Sequence, residues 1–149
     1  MKLAIGSDHT AVDLKELVIQ HLQEKGIEVV DCGPTSKERT HYPIYADKVC
    51  QKIQRHEVEQ GILICGTGVG MSIAANKHPG IRACVCSDTF SARASKQHND
   101  SQIICFGARV VGPELAFDIV DSFLNASYEG GRHQTRVEML NALDQSLND

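Results

Sequence analysis

The stretch GILICGTGVGMSIAANK, residues 61–77, decides the fold. Gly61 to Cys65 is a short apolar run of the kind that forms a strand buried on both faces, and Met71 to Lys77 reads as a short helix. Between them, Gly66 to Gly70 form a glycine turn. The same alternation continues in both directions. Upstream, Lys2 to Ser7 reads as a strand, and Asp8 to Lys25 as a helix with Ala11, Leu14, Leu17, Val18 and Leu22 on one stripe, stopped by Gly26. A second strand, Ile27 to Asp31, leads into a polar loop over residues 32–43 and a helix from Tyr45 to Arg55. Downstream come strand Ile81 to Cys86, helix Thr89 to Gln97, strand Ile103 to Phe106 and helix Pro113 to Leu124. An irregular arm, Tyr128 to His133, precedes a last helix over Thr135 to Leu147 with Val137, Leu140 and Leu143 or Leu147 along one side. Strands alternating with helices through short loops predict right-handed crossovers and a five-stranded parallel sheet in a three-layer α/β/α domain.

The chain has 149 residues, 42% of them hydrophobic and 23% charged, which suits one domain spanning residues 1–149. No linker, repeat or shift of composition divides it. The apolar runs are too short to span a bilayer, and the opening MKLAIGSDH lacks the apolar stretch of a signal peptide, so a cytoplasmic protein is expected. A net charge of −4 argues against a nucleic-acid or anionic-membrane partner. An anionic small substrate would need a local basic cluster. The six cysteines include no Cys-x-x-Cys pair, and Cys84 and Cys86, two apart on a strand, are poorly placed for a disulfide. Most are expected to act as small apolar residues.

In open parallel sheets, ligands bind beyond the carboxyl ends of the strands. Asp8-His9, the glycine turn, Ser87-Asp88 and Gly107-Ala108-Arg109 all fall at that edge. Gly66, Gly68 and Gly70 allow close backbone approach to a ligand, with N–H groups and a helix N-terminus behind them. The spacing fits neither a Walker loop, which needs Lys before Ser/Thr, nor the Gly-x-Gly-x-x-Gly dinucleotide turn. Nor is there an arginine six residues after Cys65, as a cysteine phosphatase would need. What remains is an anion-binding turn with a thiol at its entrance, or else a tight turn over a buried cysteine. Amides and a helix N-terminus would favour the thiolate, as nucleophile or base.

Arg132 and Arg136 share a helix face and form either a clamp for phosphate or carboxylate, or a solvated basic face beside Glu129 and Glu138. Of the seven histidines, His21, His41, His56 and His78 are expected to be solvated. His9 is placed to meet an anion, while His98 and His133 lie in polar segments near other unusual residues. No His-x-His or His-x-x-x-His pair presents two ligands on one element, and no metal is expected. His98-Asn99-Asp100 falls before the last strand, at the edge opposite Cys65. That placement favours a site shared between two chains.

GSDH (6–9), ERTHYP (38–43), residues 61–77, GIRA (80–83), SARASKQHND (91–100), FGARVVG (106–112) and YEGGRHQTRV (128–137) together resemble the ribose/galactose isomerase family, type B ribose-5-phosphate isomerases in particular. The resemblance spans nearly the whole chain and finds no departure at the matched functional positions. It implies a Rossmann-like domain, a homodimer with shared active sites, and metal-independent, cofactor-free interconversion of ribose 5-phosphate and ribulose 5-phosphate in pentose phosphate metabolism. By that resemblance Cys65 is the base, Gly66, Thr67, Gly68, Val69 and Gly70 form the anion hole, and His98 opens the furanose ring. Asn99 touches substrate, Arg109, Arg132, Arg136 and His9 hold the phosphate, Asp8 meets sugar hydroxyls and Tyr42 lines the pocket. The arm and helix over residues 126–149 are expected to pack on the partner. Hexose 6-phosphate isomerisation (allose or galactose), a non-catalytic phosphosugar-binding module and a thiol hydrolase are the rival readings. Dimer against tetramer is left open.

Overall fold

The computed structural model describes residues 1–148; the side chains of residues 146–149, and with them Leu147 of the expected stripe, lie outside the described residues. Five strands, β1 (Lys2–Ser7), β2 (Glu28–Asp31), β3 (Gln60–Cys65), β4 (Ala83–Val85) and β5 (Ile103–Gly107), form one parallel sheet in the order β2-β1-β3-β5-β4. Six α-helices accompany them: α1 (Val12–Glu24), α2 (Tyr42–Gln54), α3 (Val69–Asn76), α4 (Thr89–Asn99), α5 (Pro113–Leu124) and α6 (Arg132–Ala142).

Alternation along the strands sorts the core into two layers, because successive side chains point to opposite faces. Leu3, Ile5, Ile62, Ile64, Ile104 and Phe106 face α1, α4 and α5 through Val18, Leu22, Ala92, Ile119 and Phe123. Ala4, Leu63, Cys65, Ile103 and Cys105 face α2 and α3 through Ala46, Val49, Ile53, Met71 and Ala75. The near-continuous apolar character of the strands thus reflects burial on both sides. Strand order reverses direction between β1 and β3, so their carboxyl ends flank the crevice where such sheets accept ligands.

Several boundaries differ from the sequence-based expectation: α2 starts at Tyr42, inside the expected loop, and β4 covers only Ala83–Val85. The turn after β1 begins as a 3-10 helix, His9–Ala11, capped by Asp8, whose Oδ1 accepts the Thr10 N–H at 2.9 Å; regular α-helix starts only at Val12. The last helix starts earlier, at Arg132, and ends at Ala142 in a 3-10 segment, Leu143–Asn148. It packs on its own chain through His133 and Val137, both buried, and through the Arg82 Nη1 bond to Asn141 Oδ1 at 2.8 Å. Met139 and Leu140 are exposed.

Among the described residues no helix is long and apolar enough to cross a membrane.

Candidate active site

Parallel register brings the loops together. Ser7 lies beside Ile64 and Cys65 beside Gly107, so the chain leaves β1, β3 and β5 at one edge. Backbone bonds then lace these exits: Asp8 N–H to Ile64 O at 3.1 Å, Ala108 N–H to Cys65 O at 2.8 Å, and Arg109 N–H to Gly66 O at 3.0 Å. Gly68 adopts a left-handed conformation (φ +83°) against the backbone of Phe106, where a Cβ would come within 2.7 Å of the Phe106 Cα. Only glycine fits there. The turn aims the Gly68 N–H at Cys65 Sγ, 3.2 Å away, and opens α3 directly behind it. The Thr67 Oγ1 accepts the Val69 N–H at 3.3 Å, and both residues are exposed.

Cys65 is buried, only 5% exposed, at the top of the α2–α3 side of the core. The Tyr42 ring lies over Gly70, where a Cβ would meet Tyr42 Cζ at 2.6 Å, and the Arg109 side chain runs alongside Gly66. His9 Nδ1 accepts the Thr40 N–H at 3.2 Å, which ties the 32–41 loop to the site and, in the neutral ring, leaves the proton on Nε2. Asp8, His9, Tyr42, Cys65, Gly66, Thr67, Gly68, Val69, Gly70 and Arg109 therefore gather at one edge. The fully buried Lys15 supports this edge from below. Its Nζ donates to Asp31 at 2.7 Å and to Pro34 O at 2.8 Å, holding the start of the loop. Lys15 follows Ala11 by four residues and precedes Val18 by three, so its place on the apolar stripe was the signal for a buried, paired lysine.

His98, Asn99, Arg132 and Arg136 are elsewhere. Helix α4 runs back from the carboxyl edge and ends at Asn99, just before β5 begins, so His98 lies roughly a strand's length, about 13 Å, from the Cys65 edge of its own chain. There it stacks on His133, with ring centroids 4.5 Å apart and planes 15° from parallel. Glu129 faces both rings, its Oε1 3.5 Å from His98 Nε2 and 4.0 Å from His133 Nε2. Burial, then the adjoining His98 and the Arg132 guanidinium, hold His133 below the ordinary histidine range. Arg132 and Arg136 are exposed and form no ion pair among the described residues. Sequence reasoning left Glu129 as a bystander, although its i, i+4 relation to His133 pointed to the contact. The three groups could offer metal-ligand atoms, which lie within 4.8 Å of one another. The two flanking guanidiniums make the local field positive, which favours an anion over a cation.

Two histidines expected to be solvated are engaged instead. His21 stacks on Phe117 and pairs with Asp121 at 2.9 Å, and His78 pairs with Asp47 at 2.8 Å. Both reach carboxylates on neighbouring helices, a tertiary relation that local sequence does not carry. Cys84 and Cys86 do face one another, with sulfurs 3.4 Å apart, and remain free thiols.

Residues 3–140 match the family model Ribose/Galactose Isomerase, a class of sugar-isomerising proteins. The chain belongs to the ribose/galactose isomerase family. It is 56% identical over 147 residues, 99% of each chain, to the ribose-5-phosphate isomerase B of Escherichia coli K12. It is 44% identical to the D-erythrulose-4-phosphate isomerase of Pectobacterium atrosepticum, over 94% of this chain and 93% of that one. Among solved structures, ribose-5-phosphate isomerase B of Clostridium thermocellum superposes with a TM-score of 0.97 at 47% identity, covering 99% of both chains.

Proposed function

We propose that the protein interconverts ribose 5-phosphate and ribulose 5-phosphate through an enediolate, with Cys65 as the base. The observation that carries this reading is the Gly68 N–H on the Cys65 sulfur at 3.2 Å, at the mouth of the anion-binding turn. A thiolate there removes the C2 proton of the open-chain aldose and the electrons move toward O1; the thiol then returns the proton to C1 while the O2 proton passes to O1, leaving C2=O. Unassisted, such a C–H acid is too weak for a thiolate. Amides of residues 66–70 fixed beforehand stabilise the oxyanion, with oxyanion donors in other enzymes worth about 3 kcal/mol each. Thr67 adds a hydroxyl to this cradle, Asp8 meets the sugar hydroxyls and Tyr42 closes the pocket over Gly70.

His98 opens the furanose ring, Asn99 touches the sugar, and Arg132, Arg136, Arg109 and His9 hold the phosphate, whose binding energy orients the reacting carbons. His98, Asn99, Arg132 and Arg136 come from the far edge of the sheet, so they serve a Cys65 on a second copy of the chain in a homodimer with two shared sites. Support comes from the exposed apolar residues Val69, Ile73, Phe90 and Val110 on and around the Cys65 edge, which a partner would cover.

The test is interconversion of ribose 5-phosphate in the presence of a chelator, run in D2O. Turnover with deuterium entering the sugar at C1 or C2 is expected. A clear preference for allose or galactose 6-phosphate would reassign the substrate, and tight phosphosugar binding without exchange would reduce the protein to a binding module. A covalent acyl or phosphoryl adduct on Cys65 would make it a hydrolase.

A further inference from the structure

We propose that Glu129 is a positioning residue for ring opening: its carboxylate holds the His98 imidazole in place and balances the charge that ring acquires when it takes the sugar's anomeric proton. The inference rests on the assignment of ring opening to His98 made above, and extends it to a residue that the assignment did not include.

The arm is built to place this carboxylate. The Glu129 N–H donates to Gln97 O at 3.0 Å, pinning the arm to the last turn of α4 one residue before His98. Gly130 and Gly131 then both adopt left-handed φ values, +66° and +56°, and reverse the chain within two residues. The His133 N–H closes the reversal on Gly130 O at 3.1 Å, and α6 starts at once. This turn returns His133 onto the face of His98 while Glu129 Oε1 stays within 3.5 Å of one ring and 4.0 Å of the other. A side chain with a Cβ at either glycine would strain the reversal.

The chemistry needs such a group. Ring opening moves the C1 hydroxyl proton to the imidazole, forms C1=O and breaks the C1–O4 bond, its electron pair going to O4, which takes a proton back from the imidazolium. An imidazole that accepts the first proton becomes a cation beside two arginines and a second imidazole. His133 is held below the ordinary histidine range and cannot share that charge readily. Glu129 is the one carboxylate among the described residues in contact with both rings. It also limits the ring to orientations that keep Nε2 toward the carboxylate, the geometric role that a carboxylate plays for histidines in acid–base sites.

Anomer exchange of 1-13C ribose 5-phosphate, read by 13C exchange spectroscopy, reports ring opening separately from isomerisation. In Cys65→Ala protein, where C–H chemistry is off, accelerated exchange between the α and β furanoses is expected. Adding Glu129→Gln should slow that exchange at least ten-fold, Glu129→Asp should restore part of it, and affinity for a phosphosugar analogue should stay within two-fold, showing the arm still in place. Exchange in the Cys65→Ala/Glu129→Gln double variant equal to that of Cys65→Ala would overturn the role of Glu129 and leave the His98 assignment standing. Absence of exchange in Cys65→Ala itself would strike the ring-opening assignment, and the proposal with it. Loss of analogue affinity in step with exchange would make Glu129 a structural tie of the arm only, which also overturns the proposal.

Discussion

The Gly68 amide points at the Cys65 sulfur from 3.2 Å, and it can do so only because Gly68 sits left-handed against the Phe106 backbone. The cradle and the proposed base are thus one construction. Strand β3 delivers the thiol, β5 supplies the wall, and the glycine turn connects them. The Gly68 amide is committed to the sulfur and the Val69 amide to Thr67 Oγ1, which fixes the turn before any ligand arrives.

Replacing Cys65 with alanine separates chemistry from binding. Turnover of ribose 5-phosphate should fall at least about 100-fold, the lower range for loss of an acid–base group. Phosphosugar affinity, measured calorimetrically, should change little. Retained turnover would remove Cys65 from the mechanism.

Gly68→Ala should cost about 3 kcal/mol of stability, since the new methyl meets main chain rather than a side chain that can swing away. Urea unfolding measures it. Gly70→Ala provides the contrast, because there the obstacle is the Tyr42 ring, exposed and free to rotate. Its stability should hold within about 1 kcal/mol while the Michaelis constant changes, since the displaced ring lines the pocket.

Arg132→Ala and Arg136→Ala should each raise the Michaelis constant about ten-fold or more, the loss expected for a charge-assisted bond to phosphate. If the two arginines were only a solvated face, neither change would be felt. Mixing Arg136→Ala protein with Cys65→Ala protein tests the shared site. A heterodimer pairs one site carrying both changes with one site carrying neither, so activity should rise above that of either variant alone.

Lys96 carries a pH dependence. Burial pulls its ammonium down to about 8 from the usual 10.5, while its Nζ bonds Gln60 Oε1 and lies 4.3 Å from the Phe123 ring centre. Between those two values the unfolded chain holds a proton that the folded chain has released, so stability gains a rising component from about pH 8 to 10.5. In Lys96→Met protein that component should vanish, and urea midpoints compared with the parent across this range would show it. Parallel curves for the two proteins would refute the assignment.

Most of the candidate site at the Cys65 edge was legible in the sequence. CGTGVG announces its chemistry locally, since glycine spacing, a following helix and a thiol are properties of consecutive residues. The position of His98 was legible as a conflict: strand order alone put it at the wrong edge. Its companions were not. Glu129, His133 and the ring of His98 meet through a reversal at Gly130 and Gly131 whose dihedral angles no sequence pattern states. The pairing of His21 with Asp121 spans a hundred positions of the chain and was equally hidden.

Sequence by itself determined the α/β class, the carboxyl-edge location of the cradle and the identity of its thiol, because apolar periodicity and glycine spacing act over a few residues. Tertiary structure alone decided that Gly68 turns its amide onto the sulfur, that Tyr42 lies over Gly70, and that Glu129 bridges two stacked imidazoles. Each arrangement depends on a segment distant along the chain, Phe106 behind Gly68, Tyr42 over Gly70 and His98 beside Glu129, and only the packing of helices on both faces of the sheet brings these segments together.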